Sequence, residues 1–406
     1  MGEAGNRRAL VIGGSMSGLL CGLLLRRAGW RVDIYERVET ELSGRGAGII
    51  AQPELIARLK SLGLEADDLG VHIGSRKIFN VHGVTTRTYD CAQVATAWER
   101  VYRLLRDAFP AEHYHRGRGL SGLSQDAAGV TAHFASGESV RADLLVGADG
   151  IRSTVRQQVL PQAVPLYAGY SAWRALIAES AFPKDVHAEL FEFMSFGLPP
   201  GEQFLGYPVA GPDNDLRPGH RRFNVIWYRP ANEATKLQWL LTDESGHTHT
   251  ISIPPPLIKR EAIAEMRADA ERLLAPQFRQ VVRLIGEPIL QPIYDLLSPH
   301  MAFGRVAILG DAAFVARPHV GAGVAKAADD AGALVDALRG ESDVPAALKR
   351  FETARLPVND RIIQYARHLG AYLQASRTQA EEERAGRHSS DAAVLTETAL
   401  LDFLYA

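Results

Sequence analysis

Cysteine is nearly absent. Two residues in 406, Cys21 and Cys91, are too few for a disulfide framework or a zinc site, so no metal is expected and both read as buried or idle thiols of a reducing compartment. An excess of either charge is also missing: 45 basic residues face 47 acidic ones. Neither nucleic acid nor an anionic membrane is an expected partner, and any steering of a charged substrate must be local. No apolar run reaches the roughly 18 residues that a spanning helix requires, and no internal repeat or low-complexity tract occurs. The opening stretch, Arg7 and Arg8 followed by apolar residues to Leu25, imitates a secretion signal. Glycines interrupt it, no A-x-A pattern follows, and Arg26 and Arg27 close it, so a cytoplasmic location is expected. What the composition permits is an ordinary globular chain, 46% hydrophobic and 23% charged, long enough for one large or two interlocked domains.

What is present begins at Ala9 to Arg37, ALVIGGSMSGLLCGLLLRRAGWRVDIYER. It reads as an apolar strand, a tight glycine turn, a helix and a second strand ending on Glu36. Gly13, Ser15 and Gly18, with Gly14 and Ser17 between them, fill G-x-G-x-x-G. Gly13 permits the turn, Gly18 lets the helix pack close to the sheet, and the amides opening the helix face a pyrophosphate. Glu36 lies 18 residues past Gly18, where a carboxylate can accept ribose hydroxyls; Arg37 follows it.

Further along, Leu42 to Pro53, LSGRGAGIIAQP, carries Arg45, Gly46 and Gln52 in a glycine-rich segment able to lay amides against a flat ligand; helical spacing resumes from Pro53 to Leu62. Ile73 to Asp90 is strand-like, and Thr96 to Phe109 is an amphipathic helix with Trp98, Val101, Leu104 and Leu105 on one face. Gly129 to Phe134 and Ser139 to Arg141 predict a hairpin about Ser136-Gly137. In Asp143 to Arg156, DLLVGADGIRSTVR, a strand runs into Gly147 to Gly150, and Asp149 either caps the helix that starts near Ser153 or contacts a ligand. Strands at Trp173 to Ile177, Ala188 to Phe193, Gln203 to Pro208 and Arg222 to Tyr228 point to an antiparallel sheet that could wall a pocket. Lys259 to Leu284 reads as helical. A strand from Arg305 to Leu309 ends in Gly310-Asp311, a helix follows from Gly323 to Leu338, and Val344 to Ala375 is helical. Beyond it the tail places Val394, Leu401 and Leu404 at helical spacing, for packing or a dimer contact.

Three elements in order, GGSMSG with Glu36, GADG, and GDAAFVARPHVGAG from Gly310 to Gly323, make a pattern that resembles the flavoprotein aromatic hydroxylases, single-component FAD monooxygenases of the p-hydroxybenzoate hydroxylase type. Through LSGRGAGIIAQPEL, GLSQD, GADGIRSTVR, YAGYSAWR and GDAAFVARPHVGAGVAKAADDA it is most similar to the 2,6-dihydroxypyridine 3-hydroxylase group and related hydroxypyridine hydroxylases. The resemblance, which extends to roughly Leu373, implies an α/β fold: an FAD-binding Rossmann-like domain of glutathione-reductase type, an interleaved antiparallel-sheet substrate domain, and C-terminal helices. The expected segments are 1–75, 96–165 and 291–375 for the FAD domain, 76–95 and 166–290 for the substrate domain, and 376–406 for the tail.

The same resemblance implies that Glu36 binds the adenosine ribose of FAD, that Asp149 and Gly150 approach the pyrophosphate, and that Asp311 accepts from the ribityl chain. The loop Pro318 to Gly323, including Gly321 and Ala322, would offer N–H groups to flavin N1 and the C2 carbonyl, favouring the reduced ring. Arg37, Arg45, Gly46, Gln52 and Arg103 complete the cofactor set. Many relatives carry an arginine where this chain has Trp98, so whether Arg100, Arg103 or neither touches FAD is open. NADH or NADPH would bind transiently as reductant, and the flavin C4a-hydroperoxide formed with O₂ would hydroxylate an electron-rich hydroxylated aromatic or N-heteroaromatic ring. Water must be excluded and the ring hydroxyl polarised. Phe191, Phe193, Tyr207 and Trp227 are candidates for the first task or ordinary core. Arg174, Tyr207, His319 and the adjoining Pro318 are candidates for the second, His319 being equally readable as a solvated loop residue. The alternatives are a flavin oxygenase of another outcome (Baeyer–Villiger insertion, ring opening, metabolite tailoring) and a flavin-binding regulatory protein without turnover. A homodimer is a further possibility that the sequence admits.

Overall fold

The computed structural model describes residues 7–42 and 48–404; Arg45 and Gly46 lie outside them. The chain opens with β1 (Arg8–Ile12), α1 (Met16–Arg27) and β2 (Arg31–Tyr35). β1 and β2 pair in parallel, with Ile12 opposite Tyr35. Residues 9–12 are buried without alternation, as in a parallel strand covered on both faces. Next come β3 (Gly48–Ile50), α2 (Pro53–Ser61), β4 (Val71–Phe79), β5 (Thr85–Ala97) and α3 (Trp98–Ala108). β5 continues seven residues beyond Asp90, where the strand-like reading stopped. Its first half is exposed and polar, and only the stretch from Ala95 to Ala97 turns inward.

The next elements are β6 (Tyr114–His115), β7 (Leu120–Gln125), β8 (Val130–Phe134), β9 (Ser139–Ala142), β10 (Leu144–Gly147) and α4 (Thr154–Val159). The β8–β9 hairpin turns at Gly137, whose φ of +86° needs a glycine. β11 (Leu166–Ala178), α5 (Lys184–Leu190), β12 (Phe193–Gly197), β13 (Gln203–Val209), β14 (Arg222–Pro230), α6 (Gln238–Leu241), α7 (Arg260–Leu273) and α8 (Pro276–Arg283) follow. The expected strand from Ala188 to Phe193 is not one. Pro183 precedes a helical turn that buries Val186 and Leu190, four apart on one face, and the strand starts only at Phe193. The helix expected from Lys259 to Leu284 is two helices, because Pro276 cannot continue the first and holds Ala275 extended. The chain closes with β15 (Ile289–Leu297), β16 (Ala302–Phe303), β17 (Val306–Ile308), β18 (Phe314–Val315), α9 (Gly323–Leu338), α10 (Val344–Leu369), α11 (Gln379–His388) and α12 (Asp391–Glu397).

A six-stranded sheet runs β16-β17-β10-β1-β2-β6, parallel except at β16, and a nine-stranded sheet runs β18-β15-β11-β14-β13-β12-β4-β5-β3. The large sheet has two distinct faces. One buries Phe79, Trp173, Phe204, Phe223 and Trp227 against Met266 of α7 and Phe278 of α8. The other carries Tyr170, Tyr207, Ile226 and Tyr228, and meets Tyr372 and the tail residue Leu395. Phe191 and Trp227 therefore belong to the back core and not to a pocket wall, while Phe193 is half-buried beneath the Lys77 ammonium, 3.2 Å from its ring centre. Among the described residues, no helix is long and apolar enough to cross a membrane.

Candidate functional site

Four parallel strands stand side by side in the order β17, β10, β1, β2, about 4.8 Å apart. Each ends in one of the motifs: Gly310-Asp311 after β17, Gly147 to Gly150 around the end of β10, Gly13 to Ser15 after β1, Glu36 after β2. The crevice beyond such carboxyl ends, where the chain leaves β1 for neighbours on either side, is where open α/β sheets bind ligands. Gly13 has φ +106°, and a Cβ there would lie 2.3 Å from the Ala148 carbonyl oxygen; a Cβ on Gly18 would lie 1.9 Å from that of Gly13. The turn is thus pressed between β10 and α1, and only glycines fit.

Glu36 is buried beside this turn. Its two carboxylate oxygens accept from the backbone N–H groups of Gly14, at 2.8 Å, and Val38, at 2.9 Å. Tyr114, which sequence reasoning missed, donates its hydroxyl to the Gly14 carbonyl at 2.8 Å. Asp149 takes the capping alternative: it accepts from the Ser153 hydroxyl and from the N–H groups of Thr154, at 2.7 Å, and Val155, at 3.2 Å. Burial pushes its pKa up, against those hydrogen bonds. The neighbouring Gly150, at φ +76°, has open space where a side chain would be.

Two long helices point uncapped N-termini at this edge. Neither α1 nor α9 has a side-chain cap or an acidic residue in its first turn, so their leading N–H groups and positive dipole ends remain available to an anion or an electron-rich ring. Gly310 is wedged between them at φ +58°: a Cβ there would sit 2.5 Å from Ser17 Oγ of α1 and 3.6 Å from Ala327 Cβ of α9. Asp311 keeps 54% of its side chain exposed while one oxygen accepts from the buried Lys326 ammonium at 3.0 Å. Lys326 is a lone cation among the alanines of α9, a signal the sequence offered. This donor set fits a dinucleotide.

At the other end of the crevice, Pro318 to Val320 form a single tight turn, Gly321 takes the left-handed conformation at φ +65°, and Gly323 opens α9. Ala322 is buried and Pro318 exposed. Gln52 is buried, and its amide donates to Ala399 O at 3.1 Å and more weakly to Gly321 O at 3.4 Å. His319 is no solvated loop residue. It is 3% exposed, its Nε2 shares a hydrogen bond with the Tyr170 hydroxyl at 2.9 Å, and the Tyr228 ring centre lies 4.2 Å away. Burial, then the nearby Arg317 guanidinium, push its pKa down to about 3. The ring is neutral. Arg317 is itself held by Asp295 at 3.0 Å, whose second oxygen takes Arg367 at 2.7 Å.

Tyr207 and Arg174 lie on the same sheet face as Tyr228. Burial pushes the Tyr207 pKa up to about 12, Arg174 opposing, so the phenol stays protonated. Arg174 is half-buried and donates to the neutral Gln291 side chain at 2.7 Å. Arg103 is not brought to the site: it is exposed and paired with Glu99 and Asp213, each at 2.9 Å. Arg37 is also exposed. Arg100 is half-buried, with an Nε that has no partner among the described residues.

A row of strand ends fit for a dinucleotide, finished by a loop and helix N-terminus fit for a flat ring and flanked by a polar sheet face, defines a flavin-dependent enzyme. The comparisons with known proteins agree. A family model described as FAD binding domain-like matches residues 167–295. The 2,6-dihydroxypyridine 3-monooxygenase of Paenarthrobacter nicotinovorans is 33% identical, over 90% of this chain and 91% of its own. The FAD-dependent urate hydroxylase of Klebsiella pneumoniae is 27% identical over 86% and 85%. The solved structure of 2,6-dihydroxypyridine-3-hydroxylase from Arthrobacter nicotinovorans matches with a TM-score of 0.86 and 32% identity, covering 91% of this chain and 93% of that one. The chain belongs to the FAD-dependent aromatic hydroxylases.

Proposed function

We propose that this enzyme hydroxylates an oxygen-substituted N-heteroaromatic ring of the dihydroxypyridine kind, with NADH or NADPH as electron donor and O₂ as co-substrate. The observation that carries the reading is the alignment of Glu36, Gly13, Gly150 and Asp311 along four adjacent strand ends, leading to the 318–323 loop beside the Tyr170, Tyr207 and Tyr228 face. The 33% identical relative supplies the substrate class.

In this reading Gly13 to Gly18 and the α1 N-terminus hold the pyrophosphate, Glu36 the adenosine end, and Asp311 with Lys326 the ribityl region. Bound FAD would supply hydride acceptance from the nicotinamide and activation of O₂. The chain's own residues do the rest. Backbone N–H groups of Ala322 and Gly323 and the α9 dipole stabilise negative charge on the pyrimidine edge of the ring, the Gly321 N–H being taken by the Pro318 carbonyl at 2.9 Å. Tyr207 and Tyr228 remain protonated and can donate hydrogen bonds to a ring oxygen. Arg174, which has no carboxylate partner among the described residues, can polarise an anionic oxygen of the substrate. His319, neutral, fixes the Tyr170 hydroxyl. The tail, through Val394 and Leu395 on this face and Ala399 against the loop, excludes water.

The test is NADH and NADPH consumption by the FAD-loaded protein across a panel of hydroxypyridines and phenols, with ¹⁸O₂ and product mass. Hydroxylation retains the ring and adds one labelled oxygen. A ring-opened or oxygen-inserted product favours the alternative oxygenase outcome, and consumption that no ring stimulates rejects the proposal.

A further inference from the structure

The sheet face beside the 318–323 loop holds three hydrogen-bond donors with no partner among the described residues. Asn224 is fully buried. Its Oδ1 accepts from the Gly48 N–H at 2.9 Å, which fixes the other end of the amide as NH₂, and that Nδ2 has no partner among the described residues. Gln203 is 1% exposed. Its Oε1 accepts the Tyr372 hydroxyl at 3.0 Å, and its Nε2 has no partner among the described residues. Arg174 donates from Nη1 to Gln291, while its buried Nε has none. Buried donors of this kind are rare in folded proteins, and each one left unmet is destabilising.

Strand register places all three on one face. Ala172, Tyr228 and Gln203 form one row across β11, β14 and β13; Arg174, Ile226 and Leu205 form the next; Leu176, Asn224 and Tyr207 the third. With strands about 4.8 Å apart and rows about 6.7 Å apart, the three Cα atoms make a triangle with sides of roughly 8, 12 and 14 Å. Its floor is apolar, Ile226 and Leu205. Long side chains leaning inward bring such corners to the separation of two oxygens on opposite sides of a six-membered ring, each with a hydrogen bond of about 2.9 Å.

We infer that Asn224, Gln203 and Arg174 form the recognition element for the substrate of the site proposed above: a planar ring lies over Ile226 and Leu205 and turns at least two oxygen acceptors toward these donors. The inference rests on that placement of the substrate and deepens it, because it fixes the hydrogen-bonding polarity of the ring edge. Carbonyl or phenolate oxygens satisfy all three corners, and one guanidinium among two amides suits a ring with one negative charge. An amino substituent in the same place sets donor against donor and leaves both orphaned. Sites built around buried hydrogen-bonding groups reject mismatched analogues far more strongly than apolar pockets reject a change of size.

The experiment compares binding of 2,6-dihydroxypyridine and 2,6-diaminopyridine to the FAD-loaded protein, anaerobically and without reductant, by calorimetry. The wild type is expected to bind the dihydroxy ring at least tenfold more tightly. Asn224→Asp keeps the acceptor for Gly48 and replaces the free NH₂ with oxygen; Gln203→Glu keeps the acceptor for Tyr372 and does the same. Each is expected to weaken the dihydroxy ring about ten- to hundredfold, by the usual effect of an unmet buried partner, and to narrow or invert the preference for it. Thermal melting identifies which variants are folded, and one folded variant is sufficient. Equal binding of the two rings by the wild type, no binding of the dihydroxy ring, or wild-type binding of it by a folded acidic variant overturns the inference. The turnover assay is read separately: a wild type that hydroxylates oxygenated rings while its acidic variants bind them unchanged refutes the recognition element alone, whereas no ring-stimulated turnover refutes the function.

Discussion

His319 makes folding sensitive to acid in a direction that can be worked out. Its imidazole is buried between Tyr170 and Tyr228 and near the Arg317 guanidinium, and its pKa is held at about 3, against 6.5 for a free histidine. Between these values the unfolded chain takes up a proton that the folded chain refuses. Stability from this residue is therefore present above pH 6.5 and is lost as pH falls below it, by up to about 1.4 kcal/mol per unit. From pH 7 to pH 5 the loss amounts to about 2 kcal/mol. His319→Gln keeps an acceptor for the Tyr170 hydroxyl and has nothing to titrate. Urea unfolding of both proteins at pH 7, 6 and 5 should show the wild type losing about 2 kcal/mol more than the variant over that range. Parallel pH dependences, or a His319 ring signal titrating near pH 6.5 in the native protein, would refute the burial argument. The same burial predicts that the pH profile of kcat carries no limb from this residue between pH 5 and 8.

Other consequences are equally concrete. Gly14→Ala places a Cβ 2.2 Å from the Tyr114 hydroxyl oxygen; overpacking of about 1–3 kcal/mol at the turn after β1, the proposed pyrophosphate site, should weaken FAD binding at least tenfold in a fluorescence titration, and wild-type affinity would contradict the tight turn. Arg103→Ala removes only exposed ion pairs, so FAD affinity should stay unchanged, whereas Arg100→Ala should lower it. Ala399 sits at φ +53° against the Gly321 turn; Ala399→Gly should raise stability by about 1 kcal/mol by relieving a left-handed residue. Of the two cysteines, Cys21 is fully buried, which pushes its thiol pKa up, so a thiol reagent should label Cys91 alone in the native protein.

Much of the nucleotide edge was legible because its signals are local. The spacing of Gly13 and Gly18 carries β1, α1 and β2, and the helix from Gly323 to Leu338 stands with the ends that its apolar pattern predicts. Where competing local signals met, the reading slipped: Pro183 and the Val186–Leu190 pair mark a helix in a stretch that looked extended, and Pro276 marks a break that helical spacing concealed. The Thr378 and Glu381 capping box was also readable as the start of a tail helix. The pocket face was harder. Gln203, Tyr207, Asn224 and Tyr228 fall in alternating phase along two strands, but which phase faces the loop depends on α7 and α8 covering the other side. That Tyr170 reaches His319 across 149 positions, and that the Ala399 N–H bonds to the His319 carbonyl, have no local signature at all.

A single extended FAD is expected to lie along the ends of β2, β1, β10 and β17, with its flat ring against the 318–323 loop. The most direct measurement is a crystal structure of the FAD-loaded protein. Its density should run from Glu36 past the Gly13 turn and Asp311 to the Ala322 and Gly323 amides, with the ring edge facing the Arg174 and Asn224 side of the large sheet. FAD bound elsewhere, or with its ring turned away from that loop, would contradict the central claim.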